Sequence, residues 1–170
     1  MKNIFPLILS ASVPFAAAAA DGAASAAASA SSTNSITAVQ TVCDFLKKTD
    51  YYFLATVDKD QPRVRPFGTA MVFEGKLYIQ TGRSKDVSKQ IAANSKVEIC
   101  AFDQAAGKWI RIAATLVDDS RIEVKTLMLE AYPMLKNMYK ADSEETQTLY
   151  LKDATATISS FAGAPVVLTF

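Results

Sequence analysis

Histidine is absent from all 170 positions of the sequence. That excludes serine–histidine–aspartate triads, cysteine–histidine nucleophiles, histidine-ligated haem and the common zinc sites. Cysteine is nearly as scarce: Cys43 and Cys100 stand far apart and form no Cys-x-x-Cys pattern. They fit either one disulfide in an oxidising compartment or two buried thiols, since Cys43 lies on an apolar helix face and Cys100 in the apolar run VEICAF. Neither sign of charge is in excess, with 18 Lys plus Arg against 17 Asp plus Glu, so bulk charge gives no reason to expect nucleic acid or an anionic membrane as a partner. There is no GxGxxG and no Walker loop, which argues against a dinucleotide-binding fold and a P-loop. Any catalysis must draw on carboxylates, lysines, tyrosines or a borrowed cofactor.

The apolar stretch at the start is too short to span a bilayer. A basic start at Met1–Asn3, an apolar run from Ile4 to Phe15 broken by Pro6 and Pro14, and Ala16–Ala20 before Asp21 together read as a signal peptide over residues 1–20. The expectation is export to the periplasm or the medium, with no stable membrane span after cleavage. Residues 21–35, DGAASAAASASSTNS, are Ala/Ser-rich, offer no apolar stripe to bury and read as a flexible tether. Residues 36–170 suffice for one domain with a single core.

Within that domain, Ser35 is placed to cap a helix carrying Ile36, Val39, Val42, Cys43 and Leu46 at helical spacing. YYFLATV (51–57) and the stretch up to Val72 read as a hairpin around DKDQ, and EGK (74–76) turns the chain into LYIQT (77–81), giving an antiparallel meander. A short helix follows from a Ser84 cap with Val87 and Ile91 on one face. Strands over 97–102 and 108–119 flank the turn Asp103–Gly107, and an amphipathic helix over 121–131 stops at Pro133. Strands over 149–161 and 165–170 close the chain. The order implies an α+β, mainly β domain: a six- to seven-stranded antiparallel barrel with flanking helices.

Two arginines, Arg63 and Arg65, stand one residue apart in QPRVRPFGTA and so share a strand face. Downstream, LYIQT runs into Gly82, Arg83, Ser84 and Lys85, where backbone N–H groups, a hydroxyl and cations make a seat for a phosphate, with Lys89 one turn on. If the arginine strand pairs beside Leu77–Thr81, these cations converge on one anion. The same residues also describe an exposed strand face and a solvated helix start, and spacing alone does not decide between the two.

The run from FLATVDKDQPRVRPFGTA through LYIQTGRSKDVSKQ to VEICAF, continuing through WIRIAATLVDD and LYLKDATATISSF, resembles the pyridoxamine 5′-phosphate oxidase-like, FMN-binding split-barrel flavoproteins over about residues 40–165. That resemblance implies a split barrel with FMN as cofactor and a homodimer with FMN at its interface. It implies Arg65 and Lys85 as the phosphate ligands, supported by Ser84, Arg63 and Lys89. It further implies the Pro66–Phe67 backbone against the isoalloxazine, Gln80 and Thr81 facing the ring or ribityl chain, and Trp109 reaching the flavin of the other subunit. Arg111, on the same face as Trp109, is expected to meet a phosphate or the partner subunit. The chain departs from the biosynthetic oxidase in lacking its C-terminal Arg and His, and it ends in GAPVVLTF. The expected activity is therefore an FMN-dependent oxidoreductase acting on an unidentified small organic molecule, or a non-enzymatic flavin or electron-transfer protein. Tyr51 and Tyr78 are candidate proton donors, and no catalytic residue is selected.

Overall fold

A computed structural model describes residues 20–170, with side chains from residue 34 onward. The expected signal peptide, apart from its last residue, lies outside the described residues. Three helices, α1 (Ala20–Lys48), α2 (Asp86–Ala93) and α3 (Ile122–Ala131), pack on eight strands: β1 (Tyr52–Asp58), β2 (Gln61–Phe67), β3 (Met71–Phe73), β4 (Lys76–Gly82), β5 (Lys96–Asp103), β6 (Lys108–Asp118), β7 (Thr146–Ser160) and β8 (Val166–Thr169). All pairings are antiparallel, in the order β2-β1-β5-β6-β7-β4-β3, with β8 also on β7. The sheet is open rather than closed, a split barrel.

Helix α1 starts well before Ser35, which lies inside it instead of capping it. The backbone of residues 21–35, where a flexible tether is expected, belongs to this helix. Alanine is the strongest helix former and no proline interrupts residues 20–48. Val39, Val42, Cys43 and Leu46 form its buried stripe, and Lys47 and Lys48 complement the dipole at its end. Among the described residues no helix is long and apolar enough to cross a membrane.

The run 61–72, read as one strand, is two. Gly68–Ala70 separate β2 from β3, and β2 pairs only with β1 while β3 and β4 form their own hairpin at the far end of the sheet order. The expected pairing of the arginine strand beside Leu77–Thr81 is therefore not made: β4 pairs with β3 and β7. Pro62 and Pro66 lack the N–H that a second neighbour would need, which keeps β2 at an edge. The β3–β4 loop, Glu74–Gly75, has φ of 48° and 71°, the left-handed pair a two-residue hairpin loop requires.

Strand β7 joins the two halves of the barrel. Its first residues pair with β4 and its later ones with β8, while β6 runs along both. Between them the register shifts: Ala113 faces Thr155 but Thr115 faces Lys152, and Asp153 sits at φ 52°. One extra residue on β7 bends the strand there.

Ile99, Ile110, Ile112, Leu54, Leu77, Ile79 and Leu149 are fully buried beneath α1 and α2. Each such side chain contributes about 1.5–3 kcal/mol relative to exposure. A second cluster, Met71, Tyr78, Val124 and Met128, lies under α3 on the other face of β4. That explains why β4 is buried from Leu77 to Gly82. In β5 the alternation puts Val97, Ile99 and Ala101 inside, so Cys100 is exposed and Cys43 buried, and both are free thiols. The pair is neither a disulfide nor two buried thiols. Burial raises the pKa of the Cys43 thiol.

Candidate functional site

The curl of the sheet achieves what strand pairing does not. Helix α2 leaves the end of β4 and crosses toward β1 and β2, burying Val87 and Ile91 and turning Gln90 toward Arg65. The Arg65 guanidinium donates from Nη1 to the Leu54 carbonyl (3.1 Å) and to Thr56 Oγ1 (2.6 Å), and from Nη2 to Gln90 Oε1 (2.6 Å). Thr56 Oγ1 in turn donates to the same Gln90 oxygen at 2.6 Å. All three acceptors are neutral, and among the described residues Arg65 has no carboxylate partner. Burial, and then the neighbouring Arg63, lower its pKa from the usual arginine value. The fork is thus held in place with its charge uncompensated.

Lys85 comes from the turn between β4 and α2. Its Nζ stands 5.6 Å from the centre of the Tyr139 ring and forms no ion pair among the described residues. Arg65, Lys85 and Tyr139 line one cavity of about 210 Å³, together with Pro66, Phe67, Gly68, Thr69, Gln80, Thr81, Val87, Leu135 and Met138. Gln80 is only 6% exposed, and neither atom of its side-chain amide has a hydrogen-bond partner. Its backbone N–H is satisfied by Thr69 Oγ1 at 2.9 Å, so the strand is fixed while the amide stays unpaired beside the cavity. A buried amide without partners costs stability unless a ligand supplies them. Two uncompensated cations and an orphaned amide around one cavity fit a ligand with an anionic end and further polar groups.

Six of the residues singled out in the sequence therefore meet here: Arg65, Pro66, Phe67, Gln80, Thr81 and Lys85. The other four expected cofactor contacts, Arg63, Ser84, Lys89 and Trp109, stand elsewhere. Arg63 shares the face of Arg65 but stands nearer the hairpin turn, exposed and paired with Asp58 (3.3 Å), and Lys89 pairs with Asp86 (3.0 Å). Ser84 caps no helix: its N–H and hydroxyl both donate to the Glu145 carboxylate, and α2 begins at Asp86. Trp109 lies on the outer face of β6, its ring 5.4 Å from that of Phe161. Arg111 on that face pairs with Glu98 at 2.5 Å, and Arg83 with Asp118 at 2.8 Å.

Neither tyrosine considered as a proton donor lines the cavity. Tyr51 is exposed, and the Tyr78 hydroxyl donates to Asp119 (2.7 Å) under α3, with burial foremost in pushing its pKa up to about 12. Tyr139 is the tyrosine at the cavity. It comes from the segment after α3, where a 3-10 helix at Pro133–Asn137 brings Leu135, Met138 and Tyr139 over the opening. Tyr132 anchors that segment: its hydroxyl accepts from the Ala70 N–H (2.8 Å) and donates to the Ala70 carbonyl (2.9 Å). The proline stop and the apolar residues after it were the available signal.

The outer face of the sheet carries exposed apolar side chains around a polar centre of Glu98, Arg111, Thr155 and Thr157. Val64, Phe53, Cys100 and Phe102 are exposed on β2, β1 and β5, with Val167 on β8 and Phe161 beyond β7. The cross-strand registers Phe53↔Cys100, Cys100↔Arg111, Arg111↔Thr157 and Thr157↔Val167 put them on one sheet face, with the Arg111–Glu98 pair between its apolar parts.

The family model for pyridoxamine 5′-phosphate oxidase matches residues 38–133, from α1 through α3. Among solved structures, a NimC/NimA family protein from Clostridium acetobutylicum is 40% identical over 82% of this chain and 96% of that one, with a TM-score of 0.78. General Stress Protein 26 from Bacillus anthracis shares the fold at 15% identity and a TM-score of 0.63, over 79% and 98% of the two chains. A putative pyridoxamine 5′-phosphate oxidase from Listeria innocua does so at 14% and 0.54, over 78% and 97%. No curated protein matches the sequence. By its matched core and its 40% identical relative, the chain belongs to the pyridoxamine 5′-phosphate oxidase family.

Proposed function

We propose that this chain is an exported FMN-dependent oxidoreductase acting on a small organic molecule. The observation that carries the reading is the cavity where Arg65 and Lys85, both without a carboxylate partner among the described residues, meet the unpaired amide of Gln80. Arg65 and Lys85 would hold the phosphate, the guanidinium fixed by its hydrogen bonds and the ammonium beside it in the same cavity. The Pro66–Phe67 backbone would lie against the ring system, and Gln80 and Thr81 would meet its polar atoms or the ribityl chain. Bound FMN would supply the redox chemistry; the chain supplies anchorage, orientation and exclusion of water.

The partner in this reading is a second copy. A cavity of about 210 Å³ falls short of the roughly 300–1,000 Å³ typical of sites for such ligands, so one chain offers only part of a flavin pocket. The exposed outer sheet face, with its apolar side chains Phe53, Val64, Phe102 and Val167, gives a second copy a surface to cover, and Trp109 of the partner subunit is the candidate to complete the pocket. Export rests on residues 1–20.

The test is the ultraviolet–visible spectrum of protein purified from the exported fraction, with N-terminal sequencing and sedimentation of the same sample. A yellow dimer beginning after Ala20 is expected. Colourless protein that fails to take up added FMN would overturn the cofactor assignment. A second reading, flavin-based electron transfer without a substrate, is favoured by the lining itself, which contains no carboxylate and no cysteine. Bound FMN that is reduced but turns over no quinone, nitroaromatic or B6 vitamer would select it.

A further inference from the structure

Glu145 lies just before β7, 61 residues beyond Ser84, and plays no part in the reading above. Its carboxylate accepts the Ser84 N–H at 3.2 Å on Oε1 and 3.0 Å on Oε2, and the Ser84 hydroxyl at 2.6 Å on Oε1. Its backbone carbonyl accepts the Arg83 N–H at 2.9 Å. One residue thus grips two consecutive positions of the turn that ends at Lys85.

Gly82 makes room for this grip. A Cβ there would stand 2.4 Å from Glu145 Oε1 and 3.3 Å from the Tyr139 ring. Its φ is not left-handed, so the glycine answers to space and not to backbone conformation. The ring it accommodates is the one under the Lys85 ammonium. Gly82, Glu145 and Tyr139 therefore set where Lys85 emerges. The carboxylate could instead neutralise Lys85, but it is held on Ser84 and forms no ion pair with that lysine, whose charge stays available to the cavity.

We propose that Glu145 is a positioning residue for the anion end of the cavity, clasping the Gly82–Lys85 turn so that Lys85 faces the ligand. This rests on the reading of the cavity as a phosphate site. The rival arrangement is competition, with the carboxylate occupying donors that a phosphate would otherwise use. The two differ in sign.

The experiment uses the full chain freed of flavin, titrated with FMN, in wild type, Glu145→Ala and Glu145→Gln, each with and without Lys85→Ala. Hydrogen exchange at the Ser84 amide is followed without ligand. Glu145→Ala should weaken FMN binding about tenfold, as loss of charge-assisted hydrogen bonds predicts when it is transmitted through a neighbour. Glu145→Gln should stay within about threefold, because one amide oxygen can still accept from both Ser84 donors. In the Lys85→Ala background, Glu145→Ala should change affinity by less than about twofold, since the two act through one contact. Ser84 exchange should accelerate in Glu145→Ala and hold in Glu145→Gln. Tighter binding by Glu145→Ala would establish competition and overturn the proposal. So would an equal loss in the Lys85→Ala background, which a general loosening would give, or unchanged Ser84 exchange. A wild type that ignores FMN would sink the cofactor assignment, and the exchange result alone would then decide the clasp.

Discussion

Replacing both Arg65 and Lys85 by alanine is the perturbation that bears most directly on the site. Of the five N–H donors of a guanidinium, Arg65 spends three on Leu54, Thr56 and Gln90, so two remain for a ligand. The Lys85 ammonium makes no hydrogen bond within the described residues and brings a full charge. Charge-assisted hydrogen bonds contribute about 1.5–3 kcal/mol each, so one effective bond from each cation gives about 3–6 kcal/mol before correction. Water replacing the lost groups and the non-additivity of neighbours reduce this to about 2–4 kcal/mol, or about 30- to 1,000-fold in FMN affinity. The fold should survive. Truncating Arg65 leaves the Thr56–Gln90 hydrogen bond in place and removes a partly desolvated cation. Flavin fluorescence titration of the flavin-free variant gives the affinity, and circular dichroism with a thermal melt reports the fold. A folded double variant that binds FMN as tightly as wild type would show that the phosphate sits elsewhere.

Gln80→Met should raise stability without FMN by about 1–3 kcal/mol, since it removes two unpaired buried polar atoms at similar volume, and should weaken FMN binding; urea denaturation of the flavin-free protein checks the sign. Tyr132→Phe should cost about 1–3 kcal/mol, because it strips the partner from both the N–H and the carbonyl of buried Ala70, and the same denaturation assay measures it. For Asp118, burial pushes the pKa up, but hydrogen bonds from Ser120, Gln147 and Arg83 outweigh it and hold the carboxyl below the usual range. A depressed folded-state pKa gives stability that is present above the unfolded value and lost as pH falls through the folded one. The stability gap between wild type and Asp118→Asn should therefore be constant near neutrality and shrink in acid, and a gap that widens in acid would contradict the assignment.

How far the site was legible depends on the reach of each interaction. Arg65 and Lys85 were visible as cations in unusual local settings, a strand flanked by prolines and the turn before a helix, and both settings are local. The meander between them was a local inference too, and it failed. A three-residue turn predicts that its own flanking strands pair, which β3 and β4 do, but says nothing about β2 across Gly68–Ala70. What brings Arg65 and Lys85 to one cavity is helix α2, through a Gln90–Arg65 hydrogen bond spanning 25 residues. The expected Ser84 cap fails for the same reason in reverse. A serine before a helix is a local capping signal, and a carboxylate 61 residues away takes both its donors. Strand parity is similarly non-local, so the apolar run VEICAF suggests a buried Cys100 although it faces out. Local chemistry thus nominates the candidate residues, and long-range packing brings only some of them together at one cavity. The residues that packing added, Tyr139 and Glu145, are those whose role depends on the Gly82–Lys85 turn being held in one place. If the Ser84–Glu145 grip holds Lys85 in place, Glu145→Ala removes support without removing a cation, which separates positioning from charge where truncating either cation does not.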